Sequence, residues 1–80
     1  MPKFEIKYYA VLREKAGRNA ETLETGATTP AGVYDELCAR HGFKLSRDNV
    51  RVAINDEFAA WDVPLRDGDE LVFIPPVAGG

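Results

Sequence analysis

The stretch DGDELVFIPPVAGG, residues 67–80, decides how the rest of the chain is read. Asp67-Gly68 is a strong turn signal, because both residue types tolerate the backbone angles a tight turn needs. Leu71-Val72-Phe73-Ile74 is apolar at every position, as in a strand with both faces covered at the centre of a sheet. Pro75-Pro76 ends that strand, since two successive residues have no amide to donate to a ladder. A central strand needs partners, and upstream segments offer them.

Working outward, residues 3–9 alternate: Phe4, Ile6 and Tyr8 point one way, Lys3, Glu5, Lys7 and Tyr9 the other. A period of two predicts a half-buried strand. Ala10 to Ala16 are good helix formers, and Gly17 predicts a left-handed cap. Residues 18–24 are polar and fit an edge strand. The clearest helix follows, with Thr29 as N-cap and Pro30 at its first position. Val33, Tyr34, Leu37, Cys38 and His41 recur at spacings of three and four and make its apolar face. Gly42 ends it, with Phe43 folding back toward Cys38. Gly32 in its first turn costs about 1 kcal/mol relative to alanine, with no reason visible in the sequence. Val50, Val52 and Ile54 alternate again, Asn55-Asp56-Glu57 reads as a turn, and residues 58–61 as a short strand. Asp62 to Leu65, with Pro64, is a connection. One principal helix must cover one face of a small mixed sheet, which is an α+β two-layer domain.

Eighty residues make one domain with one modest core and no deep internal active site. At 45% apolar and 29% charged, the chain is expected to fold. No apolar run approaches the ~18 residues of a membrane helix. Lys3, Glu5 and Lys7 occupy the place of a signal peptide's apolar stretch, so a cytoplasmic protein without membrane contact is expected. Cys38 is the single cysteine and His41 the single histidine, which excludes an internal disulfide and leaves a zinc site short of ligands. A Ser-His-Asp triad would have to use His41, and no nucleophile motif accompanies it.

The net charge of −3 argues against a nucleic-acid partner. The charge is uneven. Lys3, Lys7, Arg13, Lys15 and Arg18 outweigh Glu5 and Glu14 in the first 18 residues, whereas Asp56, Glu57, Asp62, Asp67, Asp69 and Glu70 face only Arg66 in residues 56–70. Solvated faces account for this, though such asymmetry can steer protein partners. Cys38 and His41 lie three apart on the long helix, but a buried small hydrophobe and a helix-end histidine favoured by the helix dipole explain them more simply. Asp67, Asp69 and Glu70 lack calcium-loop spacing and are explained by turn chemistry, so no metal is expected.

After Pro76 the side chains shrink: Val77, Ala78, Gly79, Gly80. Four residues reach at most about 13–14 Å, and Pro75-Pro76 would send them off in an extended direction. This is a thin arm able to enter a narrow channel, so the expected division is a domain over residues 1–76 and a flexible tail over 77–80. Its one special group is the α-carboxylate of Gly80, which is ionised at neutral pH. A carboxylate is a poor electrophile and must be activated, most simply as an acyl-adenylate made with ATP. Attack by sulfur on the unhindered glycyl carbonyl then gives a thiocarboxylate, and attack by an amine gives an isopeptide.

Asp67 to Gly80 resembles the ending of the small subunits of molybdopterin synthase, within the ubiquitin-like sulfur carriers. YYAVLREKAG, Tyr8 to Gly17, resembles that family's first strand and short helix, and VAINDEF, Val52 to Phe58, its middle strand and turn. PPVAGG favours the molybdopterin branch over the thiamine branch. The resemblance implies a β-grasp (ubiquitin-like) fold. It implies that a ubiquitin-activating-type enzyme adenylates Gly80 with ATP and that the group becomes a thiocarboxylate. Inside the large synthase subunit it would donate sulfur to cyclic pyranopterin monophosphate, building the dithiolene of molybdopterin. Two small and two large subunits would form a heterotetramer. The catalytic residues would lie on the large subunit, and this chain would be a non-catalytic donor with no bound cofactor. Matched residue by residue, the family's partner interface falls on Tyr9, Arg13, Phe58 and Ile74. Core packing is the competing reading of Phe58 and Ile74. The alternatives in function are a ubiquitin-like modifier joined through Gly80 to lysines, and a thiamine-type sulfur carrier.

Overall fold

The alternation at the N-terminus forms strand β1, Lys3–Tyr8, with Phe4, Ile6 and Tyr8 buried and the residues between them exposed. The computed structural model describes residues 1–76; Val77, Ala78, Gly79 and Gly80, expected as the tail, lie outside the described residues. Helix α1, Ala10–Ala16, ends on Gly17 at φ 74°, whose amide donates to the Arg13 carbonyl at 2.9 Å. Strand β2, Ala20–Glu24, runs back antiparallel to β1 along the sheet edge. It is shorter than the predicted 18–24, because the chain needs Arg18 and Asn19 to turn the corner.

Helix α2, Pro30–His41, has the predicted ends. Thr29 Oγ1 accepts from the Gly32 amide at 3.2 Å, and Gly42 closes it at φ 76°. Gly32 now has a reason: a Cβ there would sit 3.2 Å from the Ala27 Cβ. Phe43, expected to fold back toward Cys38, is buried with its ring 5.7 Å from Tyr8 and 6.2 Å from Tyr34. A single 3-10 turn, Arg47–Asn49, leads into β3, Arg51–Ile54.

The β3–β4 connection corrects the sequence reading. Asn55 and Asp56 take φ 51° and 73°, so two residues suffice for the turn, and β4 occupies Glu57–Ala59 instead of 58–61. Trp61, released from the strand, turns inward and stacks on Phe73 at 6.0 Å and near Tyr34 at 5.5 Å. The last strand, β5, is Glu70–Ile74.

The sheet order is β2-β1-β5-β3-β4, with β5 parallel to β1 and antiparallel to β3. The apolar run is therefore central, as predicted. Register aligns Tyr8, Phe73 and Val52 in one row and Ile6, Leu71 and Ile54 in the next. Both rows meet Val33, Tyr34 and Leu37 of α2 in one core. This is the β-grasp arrangement, with one main helix on one face of a mixed sheet. Among the described residues no helix covers the opposite face.

Candidate functional site

Because β5 is central, its C-terminal end emerges in the middle of one end of the sheet, and Ile74-Pro75-Pro76 lies there. Side chains alternate along a strand. Leu71 and Phe73 face the helix, so Val72 and Ile74 face the open side. Pairing of Val72 with Ala53, and of Ala53 with Phe58, places an apolar row across that face, in which Val72 and Ala53 are buried and Phe58 is exposed. Phe58 is 61% exposed, which rules out the core-packing alternative for it; Ile74 is half-buried.

Two open grooves meet at Ile74-Pro75-Pro76. One, of about 610 Å³, is walled by Tyr9, Arg13 and Glu14 from the start of α1. The other, of about 480 Å³, is walled by Asp48, Arg51 and Phe58. The four residues singled out in sequence are thus brought together: Tyr9 and Arg13 on one side of the two prolines, Phe58 on the other, Ile74 in both grooves. Tyr9, half exposed, follows Tyr8 with its ring on the opposite side, and Ala10 beside it adopts φ 52°. A left-handed alanine costs about 1–2 kcal/mol, so the backbone is strained where the groove begins. Val77, Ala78, Gly79 and Gly80, the four positions after the last proline, lie outside the described residues.

Arg51 is a member of this surface that the sequence reading missed. Its guanidinium lies 4.4 Å from the Phe58 ring centroid, and it pairs across the ladder with Ile74. No sequence signal could have found it, because cross-strand register brings together residues seven and twenty-three positions away from it in the chain.

The residues set aside in sequence have structural partners. His41 does not meet Cys38 in a reactive pair. Its Nε2 lies 2.6 Å from Glu21 Oε2, which also accepts from the Tyr8 hydroxyl at 2.5 Å. His41 is the last residue of α2, as the helix-end reading had it, and in addition it ties α2 to the edge strand. Arg18 and Arg40 stand 3.7 and 3.6 Å from Glu21 Oε1. Burial would raise the Glu21 carboxyl, but the hydrogen bonds from Tyr8 and His41 and the neighbouring positive charges outweigh it and hold the group below its ordinary range. Tyr8 is pushed up, first by burial and then by Glu21. Burial likewise pushes the Cys38 thiol up, against a smaller opposing hydrogen bond with Tyr34, which disfavours the thiolate a nucleophile requires. Asp67 Oδ1 accepts from the Lys3 amide at 2.7 Å, and Asp69 accepts from the Arg66 amide and the Asn55 side chain at 2.8 and 3.0 Å. These acids are spent on turns, and among the described residues no group of three or more His, Cys, Asp or Glu gathers in a metal-holding cluster.

Comparison with known proteins gives concordant matches. Residues 6–80 match the ThiS family. The chain is 30% identical to the molybdopterin synthase sulfur carrier subunit of Escherichia coli, covering 95% of this chain and 98% of that one. It is 34% identical to the protein of the same description from Haemophilus influenzae, over 94% and 96%. The crystal structure of the Haloferax volcanii small archaeal modifier protein 1 superposes with a TM-score of 0.82 at 30% identity, over 96% of this chain and all of that one.

Proposed function

The chain belongs to the ThiS family, and from that premise we propose that it is the sulfur-carrier small subunit of a molybdopterin synthase. The carrier group is the α-carboxylate of Gly80. In the first step a carboxylate oxygen attacks the α-phosphorus of ATP on a ubiquitin-activating-type enzyme, and pyrophosphate leaves. Hydrosulfide from the sulfur source then attacks the glycyl carbonyl, AMP departs with the acyl C–O bond broken, the thioacid proton is lost to solvent, and Gly80 carries a thiocarboxylate. That sulfur passes to cyclic pyranopterin monophosphate inside the large subunit, which supplies the catalytic residues. ATP is used by the activating partner and is not held by this chain. Gly79, Ala78 and Val77 are the narrow arm, while Tyr9, Arg13, Phe58 and Ile74 are the dock, in a heterotetramer of two small and two large subunits.

The observation that carries this reading is the placement of the exposed Tyr9, Val11 and Phe58 in the two grooves that meet at Ile74-Pro75-Pro76, where Pro75 is buried and Pro76 exposed, at the root of the glycine-ended stretch. An exposed aromatic and aliphatic cluster rimmed by arginine is the kind of patch that binds protein. The names of the two bacterial relatives support the synthase as the destination.

The test is intact mass after incubation with ATP, the adenylating enzyme and a sulfur source. A gain equal to exchanging one oxygen for sulfur, absent when Gly80 is deleted, is expected. Addition of the large subunit and the pterin precursor should then yield molybdopterin. Normal molybdopterin formation by a chain lacking Gly79-Gly80 would refute the reading. The likeness to the archaeal modifier protein favours a second reading, conjugation of Gly80 to lysines. It predicts that tryptic digestion leaves a remnant running from Asp67 to Gly80 on lysines of other proteins, since Arg66 is the last basic residue. A thiamine-type carrier would fail to yield molybdopterin with the large synthase subunit.

A further inference from the structure

We propose that Arg51 is a specificity-determining residue that receives a carboxylate from the docking protein, beside an apolar side chain of that protein seated between Phe58 and Ile74. The inference deepens the sulfur-carrier reading, from which it takes only the identity of the partner, the large synthase subunit. Three observations carry it. The Arg51 guanidinium stacks at 4.4 Å on Phe58, itself 61% exposed. A stacked guanidinium occupies its face and keeps its in-plane N–H donors free for a bidentate acceptor. Among the described residues the ion pairs employ Lys7, Arg18, Arg40, His41 and Arg47, and Arg51 takes part in none of them.

The location supplies the rest. Arg51 pairs across the ladder with Ile74 and walls the groove that reaches Pro75 and Pro76. An acid-plus-apolar pair arriving there would satisfy the charge and the apolar floor at once. Contact would exclude water from the guanidinium, which strengthens the ion pair relative to one on an open surface. The stack also restrains both side chains before docking, which lowers the cost of ordering them.

The test is titration of the 80-residue chain with its large synthase subunit, followed by calorimetry across a range of salt concentrations. Arg51→Ala should weaken Kd by about tenfold or more, as loss of a charge-assisted bidentate contact does. Arg51→Glu should weaken it further, and Arg51→Lys should recover only part, because an ammonium cannot present the fork. The salt dependence of Kd should flatten in Arg51→Ala. Since Arg51 is exposed, urea midpoints of the variants should match the parent, which separates docking from folding. Reversing one acid of the large subunit to lysine should restore binding to Arg51→Glu. Parent-like Kd and salt slope in Arg51→Ala and Arg51→Glu would overturn the proposal while leaving the sulfur-carrier reading intact. Absence of binding by the parent chain would overturn both.

Discussion

Glu21→Gln tests whether a single carboxylate joins three elements of this fold. Glu21 is 7% exposed; Oε2 takes the Tyr8 hydroxyl and His41 Nε2, and Oε1 faces two arginines. Each hydrogen bond to a charged group contributes about 1.5–3 kcal/mol. The arginines are about half exposed, so each adds at most about 1 kcal/mol. Glutamine keeps one carbonyl acceptor but loses the charge, and the expected loss is about 2–3 kcal/mol. Total stability for a domain of this length is on the order of 4–12 kcal/mol, so urea melts at neutral pH should show a large fall in midpoint at unchanged slope. The pH dependence gives an independent readout. Because the folded-state pKa is depressed, the contribution of Glu21 is complete above the ordinary carboxylate range. It is lost as pH falls through the lower folded value. The parent should therefore lose stability on acidification more steeply than Glu21→Gln. A variant within about 0.5 kcal/mol of the parent, with the same acid limb, would refute the reasoning, since that is the range of an ordinary surface change.

Other substitutions probe other parts. Phe58→Asp should weaken docking to the large subunit by at least about tenfold, as expected for an exposed aromatic anchor, with an unchanged urea midpoint; equal affinity would exclude Phe58 from the interface. Gly42→Ala, at φ 76° with open space around it, should cost about 1 kcal/mol through backbone strain alone, measurable by thermal melting. Gly32→Ala should fail to deliver the usual helix gain of about 1 kcal/mol, because the new methyl meets Ala27 at 3.2 Å; a full gain in melting temperature would mean the contact yields freely. Tyr8→Phe removes the donor to the Glu21 carboxylate and should cost about 1.5–3 kcal/mol in urea melts.

Much of this protein is determined locally and is therefore legible in sequence. The period of two in β1, the Thr29 and Gly42 ends of α2, and the apolar run of β5 follow from backbone geometry over a few residues. Family resemblance adds the proposed destination of Gly80 and the proposed interface at Tyr9, Arg13, Phe58 and Ile74. Tertiary structure alone decided what depends on register and close approach. It set Glu21 of an edge strand against His41, giving the residue read as a helix end a partner in a distant strand. It shortened the β3–β4 turn to two residues and freed Trp61 for the core. It gave Gly32 its reason in the Ala27 methyl, and laid Arg51 on Phe58 next to Ile74. Local signals fix which residues form an element; only the packed chain fixes which distant side chains share a face, and contacts between strands are invisible until their register is set.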